Sequence, residues 1–275
     1  MSTPITRAIA GRTLNGARGE ITAQPRIVGQ VGPRAIGVHD PRRRFRAVGP
    51  ARYPLAVPPA FDVPEPSLPL ALGILGSYLL GAVPFGFVMA KGLRGVDLRT
   101  VGSGNIGVTN AMRVLGKPLG VVAFLLDFAK GWVATAAIAP WVAPASPGAA
   151  VVCGAAAVLG HVFPVYLRFK GGKAVATGCG AIAGIDFVVF AAAGLTWPIA
   201  LAAFRMVSVA SLLLGFAFPL AALWRSRSQP YGWEVVAACA ALFLLILVRH
   251  RSNIRRILEG TESRVGSKRA EARAR

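Results

Sequence analysis

The chain has 275 residues, 54% of them hydrophobic and only 15% charged, with a net charge of +20 and a mean hydropathy of +0.56. Residues 1–66 hold ten Arg and four acids and residues 249–275 hold nine basic groups and three acids, which leaves twelve basic groups and four acids across residues 67–248. Soluble domains carry about 25% charged residues, so this composition excludes a water-facing globular enzyme, a disordered chain and a disulfide scaffold, and reads as an all-α, polytopic membrane protein with basic ends.

The basic excess is not read as a nucleic-acid footprint, because basic residues flanking apolar spans are what the positive-inside bias produces and no aromatic-interleaved basic patch is present. Cys153, Cys179 and Cys239 fall in apolar stretches without a CxxC spacing. Neither a metal site nor a cofactor is expected from them.

In chain order, residues 1–66 form an Arg-, Pro- and Gly-rich arm with no apolar period, of a composition that reads as disordered. Residues 67–266 form the membrane domain, and 267–275 a short basic tail. A helix crossing the hydrocarbon core needs about 20 apolar residues. The segments 68–90, 119–142, 149–167, 207–224 and 233–248 meet that requirement. The 31-residue run 174–204 is too long for one span and short for two, and a full helix plus a short one broken near Gly194 is expected there. The count is seven spans, with six as the alternative.

The 91–118 connection carries Lys91, Arg94, Arg99, Arg113 and Lys117 against Asp97, and the 168–173 connection carries Arg168, Lys170 and Lys173. The 143–148 turn has no charge. Placing the first two inside and the third outside satisfies the charge bias, although Arg225 and Arg227 then fall outside.

Every unusual polar stretch collects on the inside face. In DLRTVGSGNIGVTNAMRVLGK, residues 97–117, Gly102, Gly104 and Gly107 let the backbone turn with its N–H groups converging, and Ser103, Asn105, Thr109 and Asn110 add neutral donors. A Gly-rich turn entering a helix N-terminus is an anion cradle, and Arg113 shares a helical face with Asn110. It lacks the GK[ST] of a P-loop and the strand of a dinucleotide site. In RFKGGKAVATG, residues 168–178, Lys170 and Lys173 flank two glycines, an arrangement that fits phosphate binding and interfacial snorkelling equally. In VRHRSNIRRILEGTESRVG, residues 248–266, His250 and Asn253 share a helical face; read alone, this stretch fits a basic helix on anionic lipid. Asp127 and Lys130 are spaced to pair within a span, and Arg205 with Ser208 and Ser211 makes a further polar cluster. No GxSxG or HExxH is present, and neither His161 nor His250 is followed five positions later by Asp. The residues alone support an enzyme or transporter handling a phosphorylated substrate at the cytoplasmic face.

The segments GAVPFGF, DLRTVGSGNIGVTNAMRVLGK, GHVFPVYLRFKGGKAVAT, FRMVSVAS and HRSNIRRILEGTESRVG resemble, in order and spacing, the bacterial acyl-phosphate:glycerol-3-phosphate acyltransferases. The resemblance implies a seven-helix inner-membrane fold with three cytoplasmic motifs. It implies transfer of a fatty acyl group from acyl phosphate to the sn-1 hydroxyl of glycerol 3-phosphate, giving lysophosphatidic acid. It further implies that Gly102, Ser103, Gly104, Asn105, Gly107, Thr109 and Asn110 surround the donor phosphate. Glycerol 3-phosphate would be held by Arg113, Lys173, His250 and Asn253, with Gly171 and Gly172 admitting it closely and either Ser208 or Ser211 completing the site. Glu262 matches the acidic position of the third motif. The family lacks a protein nucleophile or base; the donor phosphate deprotonates the acceptor hydroxyl, and Ser103, Arg113, Lys173, Asn253 and Glu262 position the reactants. Two positions depart from the family pattern: Ala174 stands where GGKG is usual, and Val108 where GATN is usual. A positive φ at Ala174 would put its methyl in conflict with the backbone. The competing function is an organic-phosphate transporter, which also uses Gly-rich broken helices.

Overall fold

The computed structural model describes residues 62, 64–144, 146–227 and 233–266. The remainder of the arm, from residue 1 to 61, and the tail 267–275 lie outside the described residues. Among the described residues all regular structure is helical. Five spans are long and apolar enough to cross a membrane, and a sixth is a pair of helices bent by 59°.

The first span joins α1 (Leu68–Ala82) to α2 (Phe85–Arg94). Ser67 caps α1 by accepting from Leu70 N, and Gly95 at φ 68° ends α2. After a polar loop and the short α3 (Val108–Leu115), α4 (Lys117–Val133) runs through a π-turn, Ala134–Ile138, into α5 (Ala139–Val142). Pro140 lacks an N–H and its ring meets the preceding turn, which is a physical reason for the wider turn just before it. Next come α6 (Pro147–Val162), α7 (Val175–Ile185), α8 (Phe187–Gly194), α9 (Thr196–Phe204), α10 (Val207–Arg225), α11 (Trp233–Arg249) and α12 (Arg251–Leu258).

The run 174–204 divides into a short and a full helix at Asp186, and the interruption expected near Gly194 is present as the slighter joint where α8 ends and α9 begins. Asp186 adopts an extended φ of −149° and its carboxylate accepts from Val188 N and Val189 N, so it ends α7 and caps α8. Residues 187–204 then form the full span. With eleven residues α7 is about 16 Å long, roughly half the hydrocarbon thickness, which is why it does not register as a span of its own.

Small residues let the helices approach at backbone distance. A Cβ placed on Gly81 would stand 2.1 Å from the Ala157 carbonyl oxygen, and one on Gly180 would stand 1.9 Å from that of Phe128, so α1 lies directly on α6 and α4 on α7. The main core joins α6, α7, α10 and α11 through Val158, Ile182, Leu214, Phe218, Cys239 and Ile246. Leu72, Leu75, Leu125, Phe187, Ile199, Leu220 and Leu244 remain exposed on the spans, as a lipid-facing surface requires. Asp127 and Lys130 pair at 2.8 Å inside the bundle, as their spacing suggests, and His161 Nδ1 joins them 3.0 Å from Lys130 Nζ.

The bundle has two chemically distinct ends. At one, Asp62 accepts from Ser146 Oγ and Gly148 N, both at 2.7 Å, so the final stretch of the arm is fastened to the start of α6. Asp186 pairs with Arg225 at 3.1 Å, which answers one of the two basic residues placed against the charge bias. The Gly- and Arg-rich segments gather at the other end.

Candidate active site

The first loop is built around Asn110. Its Nδ2 donates to the carbonyls of Leu98 and Val101, both at 3.0 Å, and its Oδ1 accepts from Ser103 N at 3.0 Å. Asn110 is therefore buried as the hub of the loop, with both amide hydrogens engaged inside it. Gly102 at φ 60° must be glycine for a second reason, since a Cβ there would stand 2.2 Å from Asn110 Oδ1. Asn105 accepts from Gly107 N at 2.8 Å, and Ser103 and Thr109 are exposed. No side chain caps α3; Asn110 N and Ala111 N donate to the Gly107 carbonyl at 3.0 and 3.1 Å.

The second loop leaves α6 through Pro164 and a single 3-10 turn. Arg168, Phe169 and Ala174 all have positive φ, at 51°, 62° and 69°. Gly171 and Gly172 lie flat on His161: Gly172 N donates to the His161 carbonyl at 3.0 Å, and a Cβ on Gly172 would stand 2.0 Å from His161 Nε2. Lys173 follows and donates through Nζ to Asn253 Oδ1.

That bond ties the second loop to the third. Asn253 Nδ2 donates to Glu262 Oε1 at 2.7 Å, and Arg256 Nε donates to Glu262 Oε2 at 2.7 Å. His250, which precedes α12, and Asn253, in its first turn, are both buried, and His250 Nδ1 bonds the Ile246 carbonyl at 2.9 Å. The segment after α12 returns to the start of α10, where Val265 N donates to the Arg205 carbonyl at 2.7 Å. This brings Glu262 beside Ser208, whose hydroxyl is buried and lacks a hydrogen bond of standard geometry. Ser211 is buried one turn further along α10.

Electrostatics follow this geometry. Burial lowers the Lys173 ammonium from its ordinary value to about 8; the Glu262 carboxylate opposes the shift, and Arg256, Arg113 and Arg249 add to it. Burial acts to raise Glu262, but the hydrogen bonds it receives outweigh that and hold it below the usual range. Arg113, in the last turn of α3, acts on Lys173 through its charge, and the second and third loops are joined directly by the Lys173–Asn253 bond. A cluster of one ammonium, one carboxylate, several guanidinium groups and neutral donors suits phosphate.

The sequence profile described as glycerol-3-phosphate acyltransferase matches residues 71–260. The chain belongs to that family. A glycerol-3-phosphate acyltransferase of Jannaschia sp. (strain CCS1) is 46% identical over 202 residues, covering 73% of this chain and 95% of the relative. One of Prochlorococcus marinus (strain MIT 9211) is 38% identical, covering 72% and 94%. The crystal structure of PlsY (YgiH), an integral membrane glycerol 3-phosphate acyltransferase in its glycerol 3-phosphate form, superposes with a TM-score of 0.66 at 39% identity, covering 72% of this chain and 96% of that one. Its lysophosphatidic acid form gives 0.65 at 36% identity. As a member of the family, the protein is a membrane-embedded acyltransferase of phospholipid synthesis.

In this glycerol-3-phosphate acyltransferase family member, Arg249, His161 and Arg256 are built into the site although the sequence reading assigned them no role. The only signals for them were adjacency: Arg249 directly precedes His250, and His161 lies in the GHVFP stretch that leads into the second loop.

Proposed function

We propose that this chain transfers a fatty acyl group from acyl phosphate to the sn-1 hydroxyl of glycerol 3-phosphate at the cytoplasmic face of the bacterial inner membrane. The observation that carries this reading is the hydrogen-bonded chain Lys173–Asn253–Glu262, with Arg113 near enough to act on Lys173 through its charge. It offers cationic and neutral donors for two phosphates in one place, and the family resemblance supplies the donor and the position acylated.

In this reading Ser103, Thr109 and the first-turn N–H groups of α3 hold the donor phosphate, with Asn105 and Asn110 keeping the loop in shape and Gly102, Gly104 and Gly107 giving it its turns. Arg113 and Lys173 bind the phosphate of the acceptor, while His250, Asn253 and Ser208 orient its hydroxyls; Ser208 is preferred to Ser211 because it stands beside Glu262. The sn-1 oxygen attacks the acyl carbonyl carbon, the carbonyl–phosphate oxygen bond breaks, and the proton leaves with inorganic phosphate. The protein contributes proximity and electrostatic screening. The site lies at the bundle end that holds the basic 91–118 and 168–173 connections, which the charge bias puts inside.

The test is purified protein with labelled glycerol 3-phosphate and acyl phosphate, acyl-CoA or no donor. Lysophosphatidate formed with acyl phosphate alone is expected. Acylation from acyl-CoA would overturn the donor assignment, and label accumulating in proteoliposomes without acylation would instead indicate a transporter.

A further inference from the structure

The loop that presents Lys173 is poorly suited to hold its own shape. Three of the four non-glycine residues with positive φ among the described residues, Arg168, Phe169 and Ala174, lie within it. Such conformations cost about 1–2 kcal/mol each and persist only where surrounding structure over-determines them. One side of the loop rests on His161, whose carbonyl accepts from Gly172 N at 3.0 Å. His161 is itself anchored at Nδ1, 3.0 Å from Lys130, which also donates to the Val83 carbonyl at 3.0 Å.

The other side is held by Arg249, the last residue of α11. Its Nε donates to the Gly172 carbonyl and its Nη2 to the Gly171 carbonyl, each at 3.1 Å. The guanidinium plane stands 5.9 Å from the Phe163 ring, so it is braced as well as bonded. Two parallel donors in a rigid fork match two successive carbonyls in a way a single ammonium does only loosely.

We infer that Arg249 is a positioning residue for Lys173: by clamping the Gly171 and Gly172 carbonyls against His161, it sets the loop so that Lys173 meets Asn253, and thereby governs affinity for the phosphorylated acceptor without touching it. This rests on the proposed reading for the identity of the acceptor. The clamp also couples the end of α11 to the second loop, just before the bend at His250 that leads into α12 and Asn253.

The experiment compares Arg249→Ala and Arg249→Lys with the parent protein by steady-state kinetics, equilibrium binding of labelled glycerol 3-phosphate, and hydrogen exchange of residues 169–174. Removing the clamp is expected to raise KM for glycerol 3-phosphate about tenfold, the weight of one charge-assisted partner, with kcat and the KM for the acyl donor within about threefold of the parent. Exchange should rise in 169–174 and not in α1 or α6, and Arg249→Lys, with one ammonium in place of the fork, should recover only part of the affinity. The alkaline limb of kcat/KM gives an independent check. Lys173 is faced by Glu262, Arg256, Arg113, Arg249 and His250, and Arg249 is among the groups that lower it, so Arg249→Ala moves the limb to higher pH. A fall in kcat with both KM values unchanged, equal losses for both substrates, or unchanged exchange in 169–174 would overturn the inference. Should Arg249→Ala fail to fold, Arg249→Gln keeps a single donor, and the same readings decide. If the parent protein proves not to use acyl phosphate, the donor assignment fails, while binding and exchange still test the clamp.

Discussion

Ala174 holds φ 69° and ψ −2° with no exposed surface, and its methyl belongs to the main apolar core. The left-handed conformation costs an L-residue about 1–2 kcal/mol. Against that stand about 0.8 kcal/mol for a buried methyl and about 0.5–1 kcal/mol for the greater freedom of an unfolded glycine. The effects nearly cancel, which explains how alanine is accommodated where the family usually has glycine. Ala174→Gly is therefore expected to change stability by less than about 1 kcal/mol in thermal unfolding and to leave KM for glycerol 3-phosphate within about threefold, since the methyl faces the core. A gain above about 2 kcal/mol would show that strain dominates. Lys173 has a different consequence. Its ammonium, lowered to about 8, is charged below that pH and neutral above it. KM for glycerol 3-phosphate should rise as pH passes through about 8, with kcat less affected, as initial rates across pH 6.5–9.5 would reveal. Because the unfolded lysine retains its proton up to about 10.4, fold stability gains from this group as pH rises from about 8 to about 10.4. The resemblance singled out Lys173 of the second motif, but nothing local in the sequence separates it from Lys170. Lys170 is exposed, and only the return of α12 gives Lys173 a partner.

At the scale of elements, glycine contacts set how far apart the helices stand. In α4 and α7, Cβ atoms on Gly131 and Gly180 would stand 2.1 Å from the Thr177 carbonyl and 1.9 Å from the Phe128 carbonyl. Backbone cannot rotate aside as a side chain can, so the two helices would have to part. Gly180→Ala is expected to destabilise by about 1–3 kcal/mol, read as a lower unfolding midpoint in detergent, whereas Gly194→Ala, with open space around it, should be neutral or slightly stabilising. Equal effects at the two positions would refute contact as the cause. The apolar runs announced most of these helices, because length and composition suffice for a span. The break at Asp186 shows the limit of that signal. Apolar periodicity on both sides of it is uninterrupted, and the break is made by one side chain capping the helix that follows.

Across the whole molecule, a buried polar cluster ties the first half of the bundle to the second loop. Asp127, Lys130 and His161 come from α4 and α6, and His161 supports Gly172. Removing Asp127 leaves the Lys130 charge buried without its counter-ion, which costs about 3–5 kcal/mol. Asp127→Ala is accordingly expected to lower the yield of folded protein sharply, while a double variant, Asp127→Asn with Lys130→Met, should recover much of it because no isolated charge remains. Thermal unfolding of both in detergent would check this; a double variant no better than the single one would show that the ion pair is not what matters. The Asp127–Lys130 pair was legible from its i, i+3 spacing, but His161 lies 31 residues from Lys130, and no local pattern links them.

The sequence by itself determined the helical membrane class, most of the spans, the segregation of basic residues and the identity of the three polar motifs, because each depends on local composition, short-range periodicity or a contiguous string of residues. Tertiary structure alone decided that Lys173 bonds Asn253, that Ser208 rather than Ser211 stands beside Glu262, that Asn110 serves as the hub of its loop, and that Arg249 and His161 grip the second loop from opposite sides. These are contacts between residues tens of positions apart, fixed by how closely the glycine-faced helices approach and by where α12 turns back, and neither distance is encoded in any one stretch of the chain.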